Sequence, residues 1–143
     1  MNLQIKFFDQ LTTRELYEIV RSRTEIFLLE QHIVCQDFDR VDYEALHCFL
    51  EEDGKVLAYL RAFVVEKGVV KVGRVLSITH NQGHGTVLMT GALPHIREKL
   101  SANKVVVHAQ KSAQGFYDKL GFAVTSPDYL EEGIPHVTME LPL

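Results

Sequence analysis

The stretch Gly73-Arg74-Val75-Leu76-Ser77-Ile78-Thr79-His80-Asn81-Gln82-Gly83-His84-Gly85-Thr86-Val87-Leu88-Met89 constrains the fold more than any other part of the chain. Residues 69 to 78 are rich in β-branched side chains, which suit a pleated, half-buried surface. From Val87 onward the period changes, and Met89, Leu93, Ile96 and Leu100 recur at helical spacing. Between the two patterns Gly83 and Gly85 flank a single residue. The order is therefore strand, glycine-marked turn, helix start. Glycine permits backbone angles and close approaches that a Cβ forbids. The free N–H groups and dipole of a helix N-terminus favour an anion. Two readings follow: a tight strand-to-helix turn with no ligand, or a cradle for a phosphate-bearing one. No Gly-Lys-Ser/Thr is present, which sets aside a P-loop ATPase. The third glycine of a dinucleotide fingerprint is also missing.

Length and composition narrow the classes. A chain of 143 residues, 46% hydrophobic and 24% charged, is expected to form one domain over residues 1–143 without disulfide or metal staples. No apolar run approaches the roughly 20 residues needed to span a bilayer. Met1 to Gln10 lacks a basic segment followed by an apolar one, so no secretory leader is expected. Cys35 and Cys48 make no disulfide framework, and a reduced, cytoplasmic setting suits them. The seven histidines lack zinc-ligand spacing, so no metal is expected. A net charge of −4 without a basic stripe argues against a nucleic-acid partner.

Leu3 to Phe8 reads as a first strand. Thr12 with Glu15 is a capping-box signature. The helix that follows is expected to place Leu16, Ile19, Val20, Ile26 and Phe27 on one face. Arg23 falls there too, either as a paired structural arginine or as the group that orders a neighbouring loop. Residues 30 to 44 lose periodicity and carry Gln31, Cys35, Gln36, Asp37, Asp39 and Asp42. They read as a solvated acidic loop or short helix, or as one wall of a pocket for an amine or other polar acceptor. Leu46–Glu51 and Val56–Val65 flank Asp53-Gly54, a strong hairpin signal, and Lys67-Gly68 turns the chain into the central strand. Pro94 lies inside the next helical pattern, where a kink near Thr90–Gly91 or two short helices are expected. Lys104 to Ala109 is a further strand, and residues 136 to 141 alternate as the last.

Several of these stretches resemble one family. His80-Asn81-Gln82-Gly83-His84-Gly85 resembles motif A of the GNAT N-acetyltransferases, Gln/Arg-x-x-Gly-x-Gly/Ala, with His80 in the first position. Gln110-Lys111-Ser112-Ala113-Gln114-Gly115-Phe116-Tyr117-Asp118-Lys119-Leu120-Gly121-Phe122 resembles motif B, Asn-x-x-Ala-x-x-Phe/Tyr-Tyr-x-x-x-Gly-Phe, with Gln110 for asparagine. Arg23-x-x-x-Phe27-x-x-Glu30-Gln31, Gln36-Asp37-x-Asp39-x-x-Asp42, His47 and Glu131-x-Gly133-Ile134-Pro135-His136-x-x-Met139 are similar to ElaA-like members. The resemblance covers Leu16 to Leu141.

It implies a mixed α/β (α+β) fold with a mostly antiparallel, splayed sheet of about six or seven strands and about four helices. Acetyl-CoA would lie in the splay as cosubstrate. Val75, Leu76 and Ser77 would line its pantetheine, Gln82, Gly83, His84, Gly85 and Thr86 its pyrophosphate, and Gln110 and Tyr117 would complete the site. The implied reaction is direct acetyl transfer to a primary amine, on a small molecule or a protein. The oxyanion must be stabilised, most simply by a backbone N–H from the central strand, and the leaving thiolate benefits from a proton donor. Tyr117 is the candidate donor, on the strength of the resemblance; on residues alone a tyrosine on an apolar helix face reads as core with its hydroxyl satisfied. Glu30, His47, Glu132 and His136 are candidate bases, with His136 and Glu30 placed with Tyr117 in the catalytic set. An acyltransferase using another acyl-CoA or an oxygen acceptor, and a CoA-binding sensor or interaction module without turnover, are the alternatives. No membrane partner is expected, and the chain reads as monomer or homodimer.

Overall fold

Strand alternation sorts the sheet's two faces. In the computed structural model, which describes residues 1–143, β1 (Asn2–Phe7) leads through a 3-10 turn at Phe8–Gln10 into α1 (Thr13–Arg23). The expected capping box closes α1: Glu15 N donates to Thr12 Oγ1 at 3.1 Å, and Thr12 N donates to Glu15 Oε1 at 2.8 Å. The helix continues as a π-helical stretch, Thr24–Glu30. This widening re-phases the buried stripe, which runs Ile19, Ser22, Arg23, Ile26. Val20, expected inside, is 36% exposed.

After a loop and a 3-10 turn at Val41–Tyr43 come β2 (Leu46–Glu52), β3 (Lys55–Glu66) and β4 (Val69–Ser77), an antiparallel meander. Then follow α2 (His84–Lys99), β5 (Lys104–Gln110), a 3-10 turn at Lys111–Ala113, α3 (Gln114–Lys119), β6 (Ala123–Val124), β7 (Tyr129–Glu131) and β8 (Ile134–Pro142). The sheet order is β1-β2-β3-β4-β5-β8-β6, with β7 also paired to β8. The mixed, mostly antiparallel architecture is the expected one. The strands number eight because β6 and β7, too short for a periodic signal, both pair with β8. The helices longer than one 3-10 turn are α1 with its π-helical extension, α2 and α3.

Leu46, Cys48, Leu50, Ala58, Leu60 and Ala62 point to one face, where Leu88, Met89, Ala92 and Ile96 of α2 cover them. Phe49 and Tyr59 point to the other and meet Ile19 and Ile26. α2 is one helix, not two. Pro94 is exposed, so the Thr90 carbonyl that it leaves without an intrahelical donor lies on the solvent side. No helix is long and apolar enough to cross a membrane.

The feature that makes a site is the pairing of β4 with β5. It is the sheet's parallel contact and lasts for four pairs, Val69↔Lys104 to Val72↔Val107. Beyond Val72 a bulge interrupts β4: Tyr59 pairs with Leu76, but Arg61 pairs with Gly73. Arg74 within it adopts a left-handed φ of 53°. Bulges bend strands and re-aim side chains. Here the bend falls where β4 parts from β5.

Candidate active site

The gap between β4 and β5 opens into a cavity of about 480 Å³. Val72 to Val75 form one side, His108 and Gln110 of β5 with His136 of β8 another, and the loop after the π-helical stretch a third. The side chains of Val105, Val107 and Ala109 are buried in the α2-side core, so alternation turns His108 and Gln110 toward the cavity. Gln110 Nε2 donates to Gln31 Oε1 at 3.0 Å, tying the end of β5 to the loop. Ile78 N donates to Leu57 O at 2.9 Å, so the amide of Ile78 faces β3. Alternation then aims the N–H and C=O of Ser77, and of Val75 two residues earlier, at the gap. Leu76 instead turns its side chain into the α1-side core.

The glycine loop continues this edge. Gly83 caps α2 with φ 75°, and a Cβ there would meet nothing within 4 Å, so the left-handed angle rather than crowding calls for glycine. Gly85 has the opposite reason: its Cβ would lie 3.2 Å from Phe116 Cε1. No side chain caps α2, so its first amides are available to an anion. Gln82 and Thr86 are exposed beside them. Nδ1 of His84 is buried without a partner. This donor-rich, uncapped helix start in line with an open strand edge fits a diphosphate followed by an extended chain. His80 Nε2 lies 2.8 Å from Glu30 Oε1, which fastens the loop to the end of the π-helical stretch.

Tyr117 reaches the cavity from α3 and packs edge-on against Phe116 and Phe122. Burial pushes its hydroxyl pKa well above the usual tyrosine range, and no protein group hydrogen-bonds to it. His136 also lines the cavity. Its Nδ1 bonds to Ile134 O at 2.7 Å, and Tyr129 stacks on the ring. Glu132 lines the cavity as well. Glu30 does not; it is exposed and engaged with His80. His47 is buried elsewhere, between Tyr59 Oη at 2.7 Å and the Asp42 carbonyl at 2.8 Å. Burial lowers its pKa, so it reads as structural rather than as a base. No group of three His, Cys, Asp or Glu side chains is arranged to hold a metal ion.

The family model described as an acetyltransferase (GNAT) domain matches residues 15–143. The chain belongs to the GNAT acetyltransferase family. Its relatives include a UPF0039 protein of Schizosaccharomyces pombe, 37% identical over 142 residues and covering 96% of this chain and 95% of the relative. An acyl-CoA N-acyltransferase from Pseudomonas aeruginosa superimposes with a TM-score of 0.89 at 35% identity, over 98% of this chain and 99% of that one. Escherichia coli ElaA superimposes with a TM-score of 0.90 at 26% identity, over the same shares. The ElaA-like resemblance holds.

Two side-chain groupings of this GNAT domain cannot be read from the sequence, which offers Arg23 and the aspartates of residues 37–42 as candidates but not their partners. One is the linkage of His108 and Glu131, which stand on different strands and meet at 3.0 Å. The other is a cluster of three arginines and three aspartates that holds the cavity wall. Arg23, 1% exposed, donates to Asp37 Oδ2 at 3.0 Å, Asp42 Oδ1 at 2.6 Å and the Asp37 carbonyl at 2.7 Å. Arg61 grips Asp39 with both terminal nitrogens, at 2.8 and 2.9 Å, and reaches Asp42 at 3.1 Å. Arg74, from the bulge, lies 2.7 Å from Asp37 Oδ1 and donates to the Asp37 carbonyl at 2.9 Å. The hydrogen bonds from Arg61 hold Asp39 far below the usual carboxylate range. For Asp42 burial opposes ionisation, and Arg23 and Arg61 outweigh it. The loop is thus neither a freely solvated acidic segment nor a helix. It is a pocket wall pinned by ion pairs, and Arg23 both pairs structurally and orders that wall.

Proposed function

We propose that this GNAT domain is an acetyl-CoA-dependent N-acetyltransferase that acetylates a primary amine directly. The observation that carries the reading is the alignment of three features: the unpaired edge of β4 at Val75 and Ser77, the uncapped start of α2, where Gly85 abuts Ser77, and Tyr117 in the cavity that Val75 also lines. Bound acetyl-CoA supplies a thioester acetyl group and a thiolate leaving group. The backbone of Val75 and Ser77 would hold the extended chain of the cosubstrate as an added strand. The amides of Gly83 to Thr86 would hold its diphosphate, with the helix dipole in support. A backbone N–H at the bulge is the candidate oxyanion donor. Tyr117, kept protonated by burial, holds the proton for the leaving sulfur. His136 is the cavity-facing candidate base, whereas Glu30 serves the glycine loop.

Thermal-shift titration with acetyl-CoA, CoA and ATP tests this first. A ligand at 100 times its dissociation constant stabilises the native state by about 2.7 kcal/mol, which raises the melting temperature by several degrees. Acetyl-CoA and CoA should both give that shift, and ATP should not. Gly83→Glu, which sets a carboxylate at the helix start, should abolish it. Its unliganded melting temperature, measured alongside, separates lost binding from the strain of a left-handed glutamate, about 1–2 kcal/mol. An absent shift in the unaltered protein, or a full shift in Gly83→Glu, would overturn the assignment.

A further inference from the structure

At the β5–β8–β7 side of the cavity, Glu131 stands between two histidines. Its Oε1 lies 3.0 Å from His108 Nδ1, and its Oε2 lies 3.5 Å from His136 Nε2. The grouping follows from register. Gln110 pairs with His136, Tyr129 with His136, and Glu131 with Ile134, so His108, Tyr129, Glu131 and His136 share one face of the sheet. Tyr129 stacks on His136 and meets His108 edge-on, which fixes both rings. His136 is the buried member, at 6% exposed.

The hydrogen-bond chemistry is asymmetric. His136 Nδ1 faces the carbonyl of Ile134, so it must donate. A neutral His136 therefore presents a lone pair at Nε2. Glu131 Oε2 presents another, 3.5 Å away. Two acceptors at that separation match one cationic donor placed against both. Lys71 of β4 is the nearby cation that senses Glu131, but no ion pair joins them.

We propose that Glu131 Oε2 and His136 Nε2 together receive the ammonium of the acceptor, and that His108 is a positioning residue that fixes the Glu131 carboxylate. The proposal rests on the acetyltransferase reading and assigns its acceptor as a primary amine that arrives as a cation. One N–H proton passes from the ammonium to His136 Nε2, and its bonding pair stays on nitrogen as the attacking lone pair. The imidazolium is held by Glu131 until it returns the proton to water. An alcohol of the same shape supplies one uncharged donor and is rejected.

The test reads the histidine ring NMR signals of the CoA-bound protein at a fixed pH, during titration with butylamine, 1,4-diaminobutane and 1-butanol. In the unaltered protein, signals from His136 and His108 should move with both amines and not with butanol. Glu131→Gln should need about tenfold more amine or more, the scale of one lost charge-assisted hydrogen bond. Its CoA-induced thermal shift should be unchanged. His108→Phe should weaken the amine response while His108→Gln, which can still donate to Glu131, retains it. An equal amine response in Glu131→Gln and the unaltered protein would overturn the proposal, as would an equal response to butanol. Loss of CoA binding in the unaltered protein would instead sink the acetyltransferase reading, so the two failures are distinguishable.

Discussion

Tyr117 is core by position and, in the proposed reaction, the proton donor to the leaving sulfur. Its ring is enclosed by Phe116 and Phe122, as an apolar helix face predicts. Its hydroxyl, however, finds no protein partner, and the residue lines the cavity. A buried tyrosine kept only for packing would usually have its hydroxyl satisfied. Tyr117→Phe therefore separates the two roles. Removing an unpartnered hydroxyl relieves rather than creates a desolvation cost, so the melting temperature should stay the same or rise. Turnover should fall by about 10²-fold, the lower end for loss of a general acid, with CoA affinity nearly intact. A destabilised variant with unaltered turnover, measured where chemistry limits the rate, would assign Tyr117 to the core alone.

At the scale of elements, the loop between the π-helical stretch and β2 is held by charge rather than by apolar burial. Its three aspartates face three arginines from α1, β3 and β4, so the cluster is formally neutral. Asp42 bridges two of the guanidiniums. Breaking one member of a buried ion pair costs about 3–5 kcal/mol because the partners are left uncompensated. Asp42→Asn is therefore expected to destabilise on that scale in chemical denaturation, well beyond a surface substitution. Acid should act on the same cluster. Asp39 and Asp42 have folded-state pKa values below their unfolded ones, so their contribution is complete above the unfolded carboxylate value of about 3.9 and disappears as pH falls through the folded values. Stability measured from pH 7 downward should hold near pH 5 and drop below about pH 4. Asp39→Asn should flatten that drop. If its acid profile matches the unaltered protein, the stabilisation lies elsewhere.

Across the whole molecule, what could be read in the sequence was what is local in the chain. The strand, glycine turn and helix start of motif A lie within a short window, and so does the α3 segment of motif B. The capping box of α1 spans four residues, and the Asp53-Gly54 hairpin is adjacent in sequence. The ion cluster was illegible for the opposite reason: Arg23 and Asp42 are 19 positions apart, Arg61 and Asp39 22, and Arg74 and Asp37 37 by the hydrogen bond between them. Strand order brings these groups together, and no periodicity announces it. The same holds for His108 with Glu131, 23 positions apart. His80 was a departure from the motif in sequence; in space it is a fastening to Glu30. The splay itself is a whole-molecule property, since β5 stays paired to β8 along Lys104–Gln110 while β4 follows β3. One half of the sheet is β1–β4 and the other is β5–β8, joined by only four parallel pairs. A ligand that adds a strand in the gap would pair with the first half and bridge to the second. Hydrogen exchange reads this directly. At CoA 100 times above its dissociation constant, amides freed only on ligand release slow by about 100-fold. That slowing is expected at Val75, Ser77 and His84 to Thr86. The hairpin amides at Asp53 and Gly54, which open locally and far from the gap, should keep their rates. If CoA binds yet Val75 and Ser77 exchange as fast as before, the ligand does not extend along β4 and the two halves are not bridged by it.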